Sequence, residues 1–327
     1  MRPIRTFRSF VPTAVGLLVA QVLVLFFSVN LGPDGPLWSL AVPAHLKSLV
    51  FWDLRLPRFV LALVVGAGLA GAGAFVQGIF RNPLATPEIL GVSAGATAGA
   101  VVFLLGGWGA FSLWSIGLGA WLGALVAVGL VFFWGRHQSS LAGLLLAGLA
   151  LTSLLSALSS ILLLMSKDIQ LNQFLFWLAG SLENRRWPQV WLAASTVLPA
   201  LTVLTLQAGH VNLAALGDET ARSLGLNLER FRFTNLLMVA FASAGCVATT
   251  GSIGFIGLMV PHAVRLLWGE DYRFFVPLSF LAGGLFLSVA DTVIRLLPWT
   301  IPVGLFTALL GSPLFLILVR KQVQGHS

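Results

Sequence analysis

The sequence predicts an all-α polytopic membrane protein with about ten transmembrane helices and both termini in the cytoplasm. Three observations carry that expectation. Hydrophobic residues make up 57% of the 327-residue chain and charged residues only 9%, whereas soluble domains devote about 25% of their residues to charge. Mean hydropathy is +0.94. The 35 glycines fit a lipid solvent as well, because membrane helices associate through close backbone approach at small residues.

A bilayer crossing takes about 20 apolar residues. Uncharged runs occupy 11–29, 59–80, 89–135, 138–166, 187–209, 233–264, 274–290 and 296–319. Two are too long for one crossing. Gly106-Gly107-Trp108-Gly109 divides the third, and Gly251-Ser252-Ile253-Gly254 divides the sixth, so eight runs become ten spans. The first run follows Arg2, Arg5 and Arg8 and could imitate a secretory signal, but its 19 residues exceed the usual apolar region of about 7–15. It reads as a retained helix. The stretch Ile169–Leu182 is too short to span and reads as an interfacial or re-entrant piece.

An even number of spans puts both ends on one side. With that side cytoplasmic, 12 of the 19 basic residues lie inside and 7 outside, as the positive-inside rule requires. Trp38, Trp52, Trp114, Trp134, Trp187, Trp268 and Trp299 sit near predicted span ends, where interfacial tryptophans belong.

The formal charge of +8 is spread singly through the gaps between apolar runs, so it reports topology rather than a nucleic-acid partner. One cysteine, Cys246, excludes an intrachain disulfide, and its apolar setting suits a small packing group. Gly66-Ala67-Gly68-Leu69-Ala70-Gly71 matches a dinucleotide-binding pattern in letters only. That mechanism needs a preceding strand and a helix N-terminus at the phosphates, and these glycines lie inside a span, where they read as packing positions. The lysines are Lys47, Lys167 and Lys321, and none follows a glycine. With no phosphate-binding loop, the chain holds no nucleotide cofactor of its own, and any ATP that drives it is hydrolysed by another subunit. No two histidines stand four apart, and neither His-Glu-x-x-His nor Cys-x-x-Cys occurs, so no metal site is expected. His262, after Pro261, is more economically structural than substrate-binding. No Gly-x-Ser-x-Gly motif supports a hydrolase.

Ionisable groups within spans are functional suspects. Asp291 and Arg295 are four apart and read as a helical ion pair. The other span interiors are clean of carboxylates, which speaks against the alternative of a proton- or ion-coupled secondary transporter. Outside the spans, Arg81-Asn82-Pro83-Leu84-Ala85-Thr86-Pro87-Glu88 places two prolines four apart in a short rigid hairpin. The longest polar connection, 210–232, carries Leu213, Leu216, Thr220 and Leu224 at helical spacing, with Gly225 placed to end a helix. Such an amphipathic helical hairpin is either an interfacial anchor or a docking surface for a soluble partner.

Four stretches give the chain a family resemblance. They are Arg55-Leu56-Pro57-Arg58; Gln77-Gly78-Ile79-Phe80-Arg81-Asn82-Pro83-Leu84-Ala85 running into Leu90-Gly91-Val92-Ser93-Ala94-Gly95; Leu216-Gly217-Asp218-Glu219-Thr220-Ala221-Arg222-Ser223-Leu224-Gly225; and Gly254-Phe255-Ile256-Gly257-Leu258-Met259-Val260-Pro261-His262-Ala263-Val264-Arg265. Together with Pro302-Val303-Gly304 and Gly311-Ser312-Pro313, they resemble the FecCD-type permease subunits of ABC importers for iron chelates, haem and cobalamin. The resemblance implies one transmembrane domain over 1–327 in the bacterial or archaeal cytoplasmic membrane. It also implies a second copy of the chain, two separate ATPase subunits below, and a periplasmic or lipid-anchored binding protein above. It turns the 210–232 segment toward ATPase docking through Asp218, Glu219 and Arg222. Asn82 and Leu84 become cytoplasmic gate candidates, with Ser139 and Ser140 as weaker companions for which simple turn-making competes. Arg55, Arg58 and Arg295 become a basic outer patch for the binding protein, with pairing to Asp53 and Asp291 as the competing reading.

Overall fold

The structure of the chain, a computed structural model, describes residues 7–32, 36–37, 43–107, 113–135, 141–297, 299 and 301–324. Its axis is α3, Leu56–Ile79, buried at most of its positions and packed by α8 (Trp187–Ala215), α10 (Leu228–Thr250), α11 (Ile256–Trp268) and α12 (Tyr272–Arg295). Small residues on α3 make this crowding possible. A Cβ on Gly66 would overlap the backbone oxygen of Gly283 on α12, and one on Gly73 would overlap that of Gly257 on α11. The glycine pattern at 66–71 is therefore a packing seam.

Around this axis lie α1 (Phe7–Asn30), resting mainly on α12, and the paired α4 (Val92–Leu105) and α5 (Leu113–Gly135), with α6 (Leu141–Leu164) against α4 and α5. Seven helices among the described residues are long and apolar enough to cross a membrane, and α4, α11 and the first half of α13 (Val303–Gln324) are shorter apolar helices. Of the interruption expected at Gly106-Gly107-Trp108-Gly109, α4 ends at Leu105 and Gly107 adopts φ 78°, while Trp108 and Gly109 lie outside the described residues. The one expected near 251–254 separates α10 from α11.

With 13 residues, α11 is about 20 Å long and cannot traverse a hydrocarbon core of about 30 Å by itself. Irregular backbone at such breaks must find partners within the protein. It does: the Ser181 N–H donates to Thr250 O at 2.8 Å and the Gly304 N–H to Gly180 O at 3.0 Å, while Thr307 Oγ1 donates to Gly254 O at 3.3 Å. The connections before α8, α11 and α13 thus lock together. The short stretch expected near 169–182 is α7, Asp168–Leu178, leading into this junction.

Two boundaries differ from expectation. Helix begins not near 59 but at α2 (Ala44–Leu49), which runs through a π-helical turn, Val50–Arg55, into α3, and His45–Ile79 forms one continuous candidate span of 35 residues. Arg58 ends the apolar run, and Arg55, Asp53 and Lys47 precede it, without ending the helix. At the other end of the bundle the 210–232 segment is not a separate hairpin. Instead α8 continues to Ala215, α10 starts at Leu228, and only α9, Asp218–Ser223, stands apart. Gly217 at φ 114° and Gly225 at φ 86° bracket it, the second as expected. The face of this connection that packs inward is Ala214, Ala221 and Leu228, while Leu216 and Leu224 point outward.

Candidate functional site

The α3–α4 turn begins where Arg81 enters the left-handed region at φ 51°, a conformation uncommon for non-glycine residues. The Asn82 N–H donates to Gln77 O at 3.1 Å and the Ala85 N–H to Asn82 O at 3.0 Å. Asn82 Oδ1 accepts the Leu84 N–H at 2.9 Å, the self-bonding turn that suits asparagine here. Asn82 therefore shapes the turn, and Leu84 projects from it with 53% of its surface exposed. Pro87 then opens a 3₁₀ turn, Pro87–Leu90, and Gly91 at φ 75° leads into α4. Of the gate candidates, Asn82 and Leu84 share this turn, while Ser139 and Ser140 lie outside the described residues.

Beside the turn is a cavity of about 210 Å³ between α3, the 86–93 segment, α10 and the start of α11. Thr86, Glu88, Ser93, Ser243 and Ser252 supply its polar lining, and Leu69, Val92, Val247, Ile253, Phe255 and Leu258 much of the remainder. Ser243 Oγ is buried without a hydrogen-bond partner. Glu88 reaches solvent yet is hemmed in by enough protein that desolvation raises its carboxyl above the usual range. No local pattern marks Glu88 or Ser243, because only the fold brings residues some 155 positions apart to one wall.

At the same end, Asp218 opens α9. Arg232 Nη2 donates to both its carboxylate oxygens at 2.9 Å, and Arg81 forms a second ion pair with it. Burial pushes the Asp218 carboxyl up, but the hydrogen bonds and charge of Arg232 and then Arg81 outweigh it and hold it below the ordinary value. Arg81 Nη2 also donates to Ala214 O at 2.6 Å. Of the three residues expected on a docking surface, Asp218 is held by Arg232 and Arg81 with 38% of its side chain exposed, and Glu219 and Arg222 are exposed beside the outward Leu216 and Leu224. Arg81 and Arg232 were not expected here. Asp218 and Arg232 are 14 residues apart, and only the turns at Gly217 and Gly225 bring them together.

At the opposite end the three arginines expected to form a basic patch turn inward. Arg58 Nε donates to Asp291 Oδ1 and Oδ2 at 3.0 Å each and its Nη2 to Oδ1 at 2.7 Å. Arg295 Nε lies 3.4 Å from Asp291 Oδ2, and its Nη2 donates to Ser28 O at 2.8 Å. Arg55 Nη1 donates to Val29 O and Asn30 O at 2.9 Å. The cause is twofold: Asp291 is a buried carboxylate that needs counter-charge, and the last carbonyls of α1 lack helical partners and carry the negative end of its dipole. The competing reading, pairing with Asp291, is the observed one for Arg58 and Arg295. His262 is likewise buried, edge-on to Phe315, and Cys246 packs against α3 with Sγ 3.7 Å from Val65 O.

The sequence profile of the FecCD transport family matches residues 13–321. The hemin transport system permease protein HmuU of Yersinia pestis is 39% identical over 326 residues, covering 95% of this chain and 96% of that protein. The cobalamin import system permease protein BtuC of Halobacterium salinarum is 42% identical over 305 residues, covering 90% of this chain and 81% of its own. A solved structure of a metal-chelate type ABC transporter in an inward-facing conformation superposes with a TM-score of 0.87 at 34% identity, covering 95% of this chain and 99% of its own. With a match that runs nearly end to end in profile, relatives and fold, the chain is a multi-pass membrane protein that belongs to the FecCD transport family.

Proposed function

We propose that the chain is the permease subunit of an ABC importer that moves a metal chelate of the haem or cobalamin kind inward across the cytoplasmic membrane. Two identical copies would form the pathway, each copy using its whole length as one transmembrane domain with both termini inside. A separate ATPase subunit would dock below each copy and a substrate-binding protein above. The observation that carries this reading is the bundle end bearing α9: a short helix with exposed Glu219 and Arg222, flanked by exposed Leu216 and Leu224, one ion pair away from the turn that presents Leu84. Exposed mixed polar and apolar residues on a rigid helix suit a soluble partner. The neighbouring turn, with Asn82 and Leu84, would close the pathway at its cytoplasmic end.

The absence of a phosphate-binding loop from the sequence fits an ATPase supplied in trans. The pairing of Asp291 with Arg58 and Arg295 removes the best placed carboxylate from service as a proton carrier, which weighs against ion-coupled transport. The test is uptake of hemin and of cyanocobalamin into vesicles holding the chain with its ATPase and binding protein. ATP-dependent accumulation of either supports the reading. Accumulation driven by an ion gradient without ATP would refute it.

A further inference from the structure

Arg81 belongs to two structures at once. Its backbone begins the turn that holds Asn82 and Leu84, and its guanidinium bridges the Ala214 carbonyl, at 2.6 Å, and the Asp218 carboxylate at the start of α9. Four residues earlier in α3, Gln77 donates to Gly257 O at 3.3 Å and accepts from Arg265 Nη2 at 3.0 Å, so the base of the turn is clamped to α11. Arg232 already ties Asp218 to α10 through both carboxylate oxygens, so keeping α9 on the bundle does not require Arg81. What Arg81 adds is a short charged link from α9 to the non-helical turn between α3 and α4. A displacement of α9 would pass through this link into residues 81–84, while the α3 body stays held at Gln77.

We propose that Arg81 is a positioning residue that couples movement of α9 to the setting of the Asn82–Leu84 turn. The proposal rests on the permease reading above and adds the physical route by which nucleotide at the ATPase reaches the gate. Coupling between two sites needs an element whose arrangement both can bias. The left-handed Arg81 backbone between two helices is placed to be that element.

The test uses the full complex of the chain with its ATPase and binding protein in vesicles, carrying Leu84→Cys as a reporter. Cys246 is 1% exposed and adds little background. The rate of labelling by a membrane-impermeant maleimide, applied from the ATPase side, is compared without nucleotide and with ATP plus vanadate. With Arg81 present the two rates differ by at least about fivefold, the lower end of typical allosteric coupling. Arg81→Gln abolishes the difference while the ATPase still co-purifies, and Arg81→Lys, which keeps the charge, restores most of it. A merely structural role would lower thermal stability without changing the nucleotide dependence. Retention of the full difference in Arg81→Gln overturns the proposal. Loss of the ATPase from the Arg81→Gln complex also overturns it, because Arg81 would then serve docking. A reporter indifferent to nucleotide even with Arg81 intact overturns this proposal together with the gate reading it rests on, whereas an intact reporter response lost in neither variant leaves that reading standing.

Discussion

Replacing Asp291 by Asn removes the only carboxylate that Arg58 and Arg295 meet among the described ion pairs. The Asp291 side chain is 2% exposed, that of Arg295 is 7% and that of Arg58 is 20%, so the cluster behaves as an interior rather than a surface pair. An exposed pair contributes about 0–1 kcal/mol, while stripping one partner from a buried pair costs about 3–5 kcal/mol because a charge is left without compensation. Arg58 retains some solvent access, so the expected loss lies near the lower end, about 3 kcal/mol. The assay is denaturant unfolding of the purified chain in a mild detergent, with limited proteolysis of α1 as a local readout, since Arg295 and Arg55 also hold the α1 carbonyls. Combining Asp291→Asn with Arg58→Met should recover part of the loss, because it removes one of the two stranded cations. A loss below about 1 kcal/mol for Asp291→Asn, or no recovery in the double variant, would refute the argument that the arginines serve an internal charge balance.

Other expectations follow from the same geometry. Gly66→Val should destabilise the bundle by about 1–3 kcal/mol through overpacking against Gly283, read by the same unfolding assay, and an unchanged midpoint would contradict the packing seam. Leu84→Gly should leave assembly intact while raising substrate leak and uncoupled ATP hydrolysis in vesicles. Glu219→Lys combined with Arg222→Glu should weaken co-purification of the ATPase without changing thermal stability, and full retention would return α9 to an interfacial role. Arg273, aided by Asn212 and against the opposing effect of burial, holds the Asp271 carboxyl down to about 2. A depressed carboxyl stabilises the fold above its unfolded value of about 3.9 and ceases to do so as pH falls through its folded one. The stability gap between wild type and Asp271→Asn should therefore be full at neutral pH and shrink as pH drops from about 4 toward about 2.

The helix interruptions were readable because glycine clusters stand where apolar runs exceed a membrane's thickness, as at Gly251 to Gly254. Helix ends beyond the spans were not. Arg58, preceded by Arg55, Asp53 and Lys47, marks the edge of an apolar run, but backbone hydrogen bonding continues past such an edge whenever neighbours support it, as it does through Val50–Arg55. The i, i+4 spacing disclosed the Asp291–Arg295 pair, but the direction of Arg55 and Arg58 was hidden. Arg58 meets a carboxylate 233 positions away, and Arg55 meets the carbonyls ending α1, so their orientation depends on helix rotation and on a neighbour that spacing does not disclose. The Asn82 turn and the Gly225 stop rest on local chemistry and were legible. The pairing of Asp218 with Arg81 and Arg232 required the turns at either side of α9 to be known first.

Whether this chain is a passive pathway opened by a separate ATPase is decided by chelate uptake into vesicles with each component left out in turn. Hemin or cyanocobalamin should accumulate in an ATP-dependent way when the chain, its ATPase and the binding protein are all present, and not when the ATPase is omitted or catalytically dead. Accumulation by the chain alone, or by the complex under an ion gradient without ATP, would contradict the permease reading.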